Sequence, residues 1–210
     1  MKMRKLFAGI AAAATLLGGM ALGATSAQAD GATVTDNATF TFTAETAEQL
    51  TNANLKAYKI GDYVQYGSGE NVAYGVVTNS NNKTAVDSAL KAAGVDTTDS
   101  EVDHLAAALN AGTLDVSAAR PWASPEKTRK FANALESEGK LTAVTSFTLG
   151  KPVPATNGSA DAKYTATATL PAGIYVFIDS AAATGSVTKA IPMIVASGTV
   201  NAEKKVLTDP

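Results

Sequence analysis

The stretch KYTATATLPAGIYVFI, residues 163–178, predicts two adjacent strands joined by a turn. In Lys163–Leu170, apolar residues alternate with threonines at the two-residue period of a half-buried strand. Pro171-Ala172-Gly173 is a turn sequence, and Ile174–Ile178 is apolar throughout. A continuous apolar strand is typical of a position inside a sheet, so we expect Ile174–Ile178 to have a neighbouring strand on each side.

Similar patterns predict further strands before and after this stretch. The last of them contains Pro192, which has no backbone N–H, so we expect that strand at a sheet edge or bulged there. About seven short strands separated by turn residues are typical of a β-sandwich. The further strands are Thr39–Ala44, with Phe40 and Phe42 on one face, Ala53–Asp62, Val72–Thr78, Leu141–Leu149 and Ala190–Ala196.

Residues 83–139 change to the 3.6-residue period of helices. One helix is predicted over Thr84–Ala93, a second begins at Asp99, and a third has Ser124 as its N-cap. Because strands and helices are grouped rather than alternating, we exclude a parallel α/β fold and expect a helical insertion between strands. A glycine follows the end of each helix: Gly94, Gly112 and Gly139.

Residues 1–29 have the three parts of a secretory signal peptide. A basic start, Lys2 to Lys5, precedes the uncharged apolar stretch 6–22, and Ala27-Gln28-Ala29 supplies small residues for cleavage. Glycines interrupt the apolar stretch and no stop-transfer charges follow it, which argues against a retained membrane anchor. We therefore expect an exported protein whose mature domain spans residues 30–200, with residues 201–210 as the start of a linker.

The charge and the cysteine content narrow the class of protein. Three of the 17 basic residues and none of the 19 acidic ones lie in the signal peptide, so the mature chain carries a net charge of about −5. That charge would not attract nucleic acid or an anionic membrane, and we expect neither as a partner. There is no cysteine, so no disulfide supports the domain. These features fit a Gram-positive surface or secreted protein.

We assign no catalytic, metal-binding or cofactor-binding residues, and we expect neither an enzyme nor a cofactor. His104 is the one histidine. It is expected on a solvated helix face, because Asp99, Asp103 and His104 do not share the single face that a metal site needs. Its replacement by alanine should then change stability by at most about 0.5 kcal/mol. Asp99, Glu101 and Glu126 lie at predicted helix starts, where they complement the helix dipole, and a glycosidase carboxylate pair is the alternative.

Three segments resemble those of Gram-positive sortase-assembled pilins and fimbrial subunits, in particular the bifidobacterium-like ones. Leu170–Val176 (LPAGIYV) followed by Ile191–Val195 (IPMIV) is similar to the closing strands of the N-terminal domain of these pilins. Leu55–Ile60 (LKAYKI) is similar to an early strand of the same domain. The resemblance extends over about residues 34–200 and implies an immunoglobulin-like (CnaB-like) β-sandwich with a helical insertion.

The resemblance also implies a function and partners. The chain would be an extracellular structural and adhesive subunit of covalently assembled surface pili, located at the cell wall. Its partners would be other pilin subunits, the sortase that joins them, and a host or glycan receptor. The alternative is a non-polymerised surface adhesin or carbohydrate-binding module. For that alternative Trp122 would be a sugar-stacking platform, although we favour a role in packing its loop on the core.

Three features of the pilin family have no clear counterpart here. The L-P-x-T-G sorting signal and the linking-lysine motif are missing, so we expect the N-terminal part of a longer subunit, or a gene product cut short, with Lys204 and Lys205 as candidate linking residues. An internal Lys–Asn isopeptide bond needs a neutral, buried lysine beside a protonated carboxyl. Lys59 or Lys163 could supply the amine, but only Asn201 follows the last apolar strand as a matching amide, so we do not favour this bond.

The mature protein should begin at Asp30, because the small residues at positions 27 and 29 direct cleavage after Ala29. Intact-mass analysis and N-terminal sequencing of secreted material measure this directly. A mature chain that begins at Met1 and stays in the membrane would contradict the signal-peptide prediction.

Overall fold

A computed structural model of the chain describes residues 7–8, 31–67, 73–114, 126–155, 163–180 and 190–197. Within these ranges the protein consists mostly of antiparallel strands in two sheets, with helices grouped between strands. The prediction of a β-rich fold is therefore confirmed.

The first sheet has four strands. Their order is β1 (Phe7–Ala8), β3 (Asn37–Ala44), β7 (Tyr164–Pro171) and β6 (Val153–Pro154). Strands β3 and β7 pair along their full lengths, with Phe40 opposite Ala168. Ala166, Ala168 and Leu170 of β7 are buried while Thr167 and Thr169 are exposed, as the alternating sequence predicts.

The second sheet has five strands. The path runs β2 (Ala32–Thr33), β4 (Leu55–Tyr66), β8 (Gly173–Asp179) and β9 (Met193–Ala196), and β5 (Ala73–Thr78) pairs with the second half of β4. Strand β8 has β4 on one side and β9 on the other, which confirms its predicted interior position. Strand β9 begins directly after Pro192 and ends the path, in agreement with the edge position that this proline predicts.

The helical insertion is confirmed between β5 and β6. It contains a short 3-10 helix (Ser80–Asn82), α2 (Lys83–Ala92), α3 (His104–Asn110) and α4 (Glu126–Glu138). A further helix, α1 (Ala47–Thr51), lies between β3 and β4. The glycines that end the three predicted helices all have positive φ: Gly94 (78°), Gly112 (65°) and Gly139 (64°).

These elements form three layers, because the helices of the insertion cover the second sheet. Tyr175 and Phe177 of β8 belong to the core between the two sheets, where Phe40 meets both rings edge-on at centroid distances of 5.2 and 5.3 Å. Ile174 and Val176, which alternate with them, belong to a second core shared with the helices. All seven residues of β8 are buried, which explains why its sequence is apolar without alternation.

The prediction of a strand over Leu141–Leu149 is wrong. Residues 141–150 form no ladder, and a turn lies at Thr145 and Ser146. Val144 makes a single backbone bond to the Ala57 carbonyl (2.8 Å), while Phe147 and Leu149 pack against the inter-sheet core. The apolar spacing therefore reflects a covering loop with one side toward the core, and this spacing does not require a paired strand.

Two helix boundaries also differ from expectation. Helix α3 begins at His104 rather than near Asp99, because the Asp103 carboxylate is the N-cap and accepts from the Ala106 N–H at 2.9 Å. Helix α1 was not expected. It begins with a capping box in which the Thr46 side chain accepts from the Gln49 N–H and the Gln49 side chain accepts from the Thr46 N–H.

Several sequence predictions fall on residues outside the described ranges. They concern the signal peptide apart from Phe7–Ala8, Trp122, the Ser124 cap, and the residues beyond 197 with Asn201, Lys204 and Lys205. Within the described ranges, none of the helices has the length and apolar character needed to cross a membrane.

Phe40→Ala should lower the free energy of unfolding by about 3–5 kcal/mol, because it empties a fully buried ring site between the sheets. Chemical denaturation of both proteins measures the change. Val153→Ala is the matched control, since Val153 is 55% exposed and its truncation should stay within about 0.5 kcal/mol. Equal effects of the two substitutions would contradict the inter-sheet core described above.

Candidate functional site

A largely buried polar cluster lies where β4, β5 and β8 meet. Lys59 Nζ lies 2.8 Å from Asp62 Oδ1, and the two side chains are only 14% and 17% exposed. The other carboxylate oxygen of Asp62 accepts from Asn79 Nδ2, also at 2.8 Å. One carboxylate therefore joins a lysine of β4 to the residue that follows β5.

A β-bulge brings Lys59 and Asp62 together. Lys59 pairs with Tyr175 of β8, but Gly61 pairs with the adjacent Ile174, so Ile60 is an extra residue in β4. In a regular strand, residues three apart point to opposite faces. The extra residue places Lys59 and Asp62 on the same side, which makes the ion pair possible.

Gly173 provides the space that the Lys59 side chain crosses. A Cβ atom at position 173 would collide with Lys59 Cε and would lie 2.7 Å from the Gly61 carbonyl oxygen. Lys59 Nζ then lies 5.9 Å from the centroid of the Tyr175 ring. The glycine of the LPAGIYV segment is therefore required by the packing of Lys59 and the Gly61 carbonyl against it.

Tyr175 closes the same segment by a local hydrogen bond. Its hydroxyl donates to the Pro171 carbonyl at 2.6 Å, and the residue is fully buried. Burial, with a smaller contribution from the Asp62 charge, raises the pKa of Tyr175 far above its ordinary value of 10.0. The hydroxyl therefore stays protonated, as a hydrogen-bond donor, at every pH that the folded protein meets.

The structure assigns different surroundings to the two lysines considered for an isopeptide bond. Lys59 is paired with Asp62, whose other carboxylate oxygen accepts from Asn79. Lys163 is exposed and its backbone N–H donates to the Ala44 carbonyl. The Lys59 cluster is suited to joining strands through hydrogen bonds and charge.

The expectation for His104 is wrong. The residue is 8% exposed, with Nδ1 3.0 Å from Asp87 Oδ1 and Nε2 2.8 Å from the Asp99 carbonyl oxygen. The error follows from the helix start, because a helix beginning at His104 turns this first residue toward α2 rather than toward solvent. Asp99 and Asp103 serve a turn and a cap, and no group of three or more metal-ligating side chains exists among the described residues.

Two further polar residues hold distant elements together. Asn82 is 3% exposed, donates to the Lys59 carbonyl at 2.8 Å and accepts from the Thr142 N–H at 2.7 Å. Asp103 accepts from both the N–H and the hydroxyl of Thr78, at 2.7 and 2.8 Å. The capping rule could have found Asp103, whereas no local signal points to Asn82, whose partner Thr142 is 60 residues away.

An open groove of about 630 Å³ lies between α1 and residues 147–152. Phe147 and Leu149 form an apolar side, and Asn54 and Lys151 add polar groups. This combination of an aromatic ring with polar side chains is chemically suited to a sugar or a peptide.

Gly173→Ala should destabilise the domain strongly, because the new Cβ meets Lys59 and the Gly61 carbonyl. Overpacking of this kind costs about 1–3 kcal/mol, measured by denaturant unfolding. Adding Lys59→Ala should restore part of the loss, since it removes the side-chain collision but leaves the backbone contact. Gly75→Ala is the matched control, because its new Cβ meets only Tyr66 side-chain atoms at 3.1 Å and a Val64 methyl at 3.8 Å. A Gly173→Ala protein as stable as the control would contradict the path of the Lys59 side chain over Gly173.

Comparison with known proteins gives no family assignment. No protein-family model, no curated protein and no solved structure matches the chain.

Proposed function

We propose that this protein is an extracellular structural and adhesive subunit of covalently assembled surface pili, with an immunoglobulin-like sandwich as the basis of its fold. The observation that carries the proposal is the packing of the LPAGIYV segment. This segment contains the end of β7 and most of β8, the strand buried in both cores. The segment most similar to pilins thus contains most of the strand against which the first sheet and the helices both pack.

A pilus subunit transmits load, and the observed contacts suit that task. Strand β8 is held by backbone hydrogen bonds on both sides, so extending the chain requires breaking two ladders. Lys59, Asp62 and Asn79 add a charged junction between β4 and β5. Asp179 accepts from the backbone N–H groups of Asn54 and Ala190, which ties two neighbouring loops to the end of β8.

The chain has no cysteine, so no disulfide can join these strands and loops. The hydrogen-bonded junctions join them instead. Hydrogen bonds to charged groups contribute about 1.5–3 kcal/mol each when they are buried. Several such bonds at strand ends can therefore supply stabilisation comparable to that of a disulfide, which contributes about 2–4 kcal/mol.

The proposed partners are other pilin subunits, the sortase and a host or glycan receptor.

The second candidate function is a non-polymerised adhesin or carbohydrate-binding module, and the groove beside α1 favours it. Phe147 offers a ring for stacking, and Asn54 and Lys151 offer hydrogen bonds to hydroxyl groups. If this candidate is correct, glycan-array binding should be lost in Phe147→Ala and kept in Val153→Ala, a substitution on the exposed β6.

In cells that express the protein, cell-wall extracts should contain heat- and detergent-resistant ladders that react with an antibody against residues 30–200. Deletion of the sortase should collapse the ladders to the monomer, because the subunits would be joined by covalent bonds. A sortase-complemented strain is the control. A single monomer band in wild-type extracts, with expression demonstrated, would overturn the pilin proposal and leave the adhesin candidate.

A further inference from the structure

Both ring nitrogens of His104 face hydrogen-bond acceptors. Nδ1 lies 3.0 Å from a carboxylate oxygen of Asp87 on α2, and Nε2 lies 2.8 Å from the main-chain carbonyl of Asp99. Neither a carboxylate nor a carbonyl can donate a hydrogen bond. Both contacts are therefore hydrogen bonds only if both ring nitrogens carry a hydrogen.

Only the protonated imidazolium has two N–H groups. A neutral ring has one N–H and one lone pair, so either tautomer would direct a lone pair at an acceptor. With 8% of the residue exposed, water has little access to compensate the lost bond. Loss of the proton therefore breaks one of the two contacts, whichever tautomer forms.

We propose that His104 is a pH-sensitive latch that holds the 95–103 segment and α3 against α2 while it is protonated. When the ring loses its proton, either the Asp87 contact on α2 or the Asp99 contact in the connecting segment is released. This inference concerns regulation of the helical layer and does not depend on the proposed pilus function.

The segment held by the latch connects α2 to α3. It leaves α2 through a Gly94 turn, in which the Val95 N–H donates to the Leu90 carbonyl at 3.0 Å. It ends at Asp103, which caps α3 and binds Thr78 at the end of β5. Asp103 fixes one end of the segment to the sheet, so release of His104 frees the part between residues 95 and 102.

Charged groups from each neighbouring element act on the ring. From α2, Asp87 faces Nδ1, and Lys83 lies 3.1 Å from the other oxygen of the same carboxylate. The connecting segment contributes Asp96 and Asp99 with the exposed Glu101, and Asp103 precedes the histidine. The contact from β5 is the uncharged Thr78, through Asp103.

The hydrogen bond to Asp87 is the main cause that raises the pKa of His104 above its ordinary value of 6.5. Burial and the Lys83 charge act against it, and the Asp99 carbonyl adds to it. A histidine whose pKa is higher in the folded than in the unfolded chain stabilises the fold fully below the unfolded value. The stabilisation is lost as the pH rises through the folded pKa, so the latch is closed in mildly acidic medium and opens above that pH.

The test uses the fact that His104 is the only histidine of the chain. Imidazole signals in a nitrogen-15 NMR titration of the wild-type protein then report this one residue. We expect a midpoint above 6.5 and both nitrogens protonated below it. Asp87→Asn should move the midpoint down and Lys83→Gln should move it up. Lys130→Gln, which breaks the Glu126–Lys130 pair on α4, is the matched control and should leave the midpoint unchanged.

Hydrogen exchange tests the mechanical consequence. The amides of residues 95–102 in wild type should exchange more slowly than those of His104→Gln at a pH below the midpoint, and this difference should vanish above it. Comparing the two proteins at the same pH removes the intrinsic pH dependence of exchange. A wild-type midpoint at or below 6.5, or a difference in exchange that is the same at both pH values, would overturn the proposal. If His104→Gln fails to fold, the titration of wild type and Asp87→Asn still decides it.

Discussion

Strand β8 is covered on both of its faces, and the other layers are arranged around that constraint. Its odd-numbered aromatic residues, Tyr175 and Phe177, face the first sheet, while Ile174, Val176 and Ile178 face the helices. Full burial of such a side chain contributes about 1.5–3 kcal/mol relative to leaving it in water. Domains of this size are stable by only about 5–15 kcal/mol. Removing either covering layer would therefore expose enough apolar surface to unfold the chain.

The polar contacts are best understood as a consequence of this burial. A strand buried on both faces has little access to water, so its backbone and polar groups need partners within the protein. Tyr175 satisfies the Pro171 carbonyl at one end of β8, and Asp179 accepts two backbone N–H groups at the other. The bulge at Ile60 and the absence of a side chain at Gly173 allow Lys59 to cross the strand start and pair with Asp62.

The helical layer combines a firm attachment with an adjustable one. Asn82 and Asp103 join the layer to β4 and β5 through hydrogen bonds with backbone and hydroxyl groups. His104 differs, because its two contacts require a proton that a histidine can lose near neutral pH. If the protein is secreted as proposed, this layer responds to the acidity of the medium. The proposed structural role and the proposed latch are thus located in different layers of the same domain.

The sequence by itself determined the identity of most elements, because local periodicity records which side of an element is buried. Four local signals were sufficient to predict their elements. They are the alternation of β7, the continuous apolar run of β8, Pro192 before β9 and the glycines after the helices. The prediction of a strand over Leu141–Leu149 was wrong, since a loop that covers a core has the same apolar spacing as a strand. The capping box formed by Thr46 and Gln49 is a local sequence signal for the start of α1.

Only the tertiary structure decided what these elements contact. Local spacing shows that β8 has two buried faces but cannot show that one face meets aromatic rings and the other meets helices. The partners of Asn82 and Gly173 lie 23 to 114 residues away along the chain. His104 contacts Asp87, 17 residues away, and Asp99, 5 residues away, and its orientation depends on where α3 begins. Contacts between distant residues leave no periodic trace in the sequence, because each side chain is selected by a space that several elements create together.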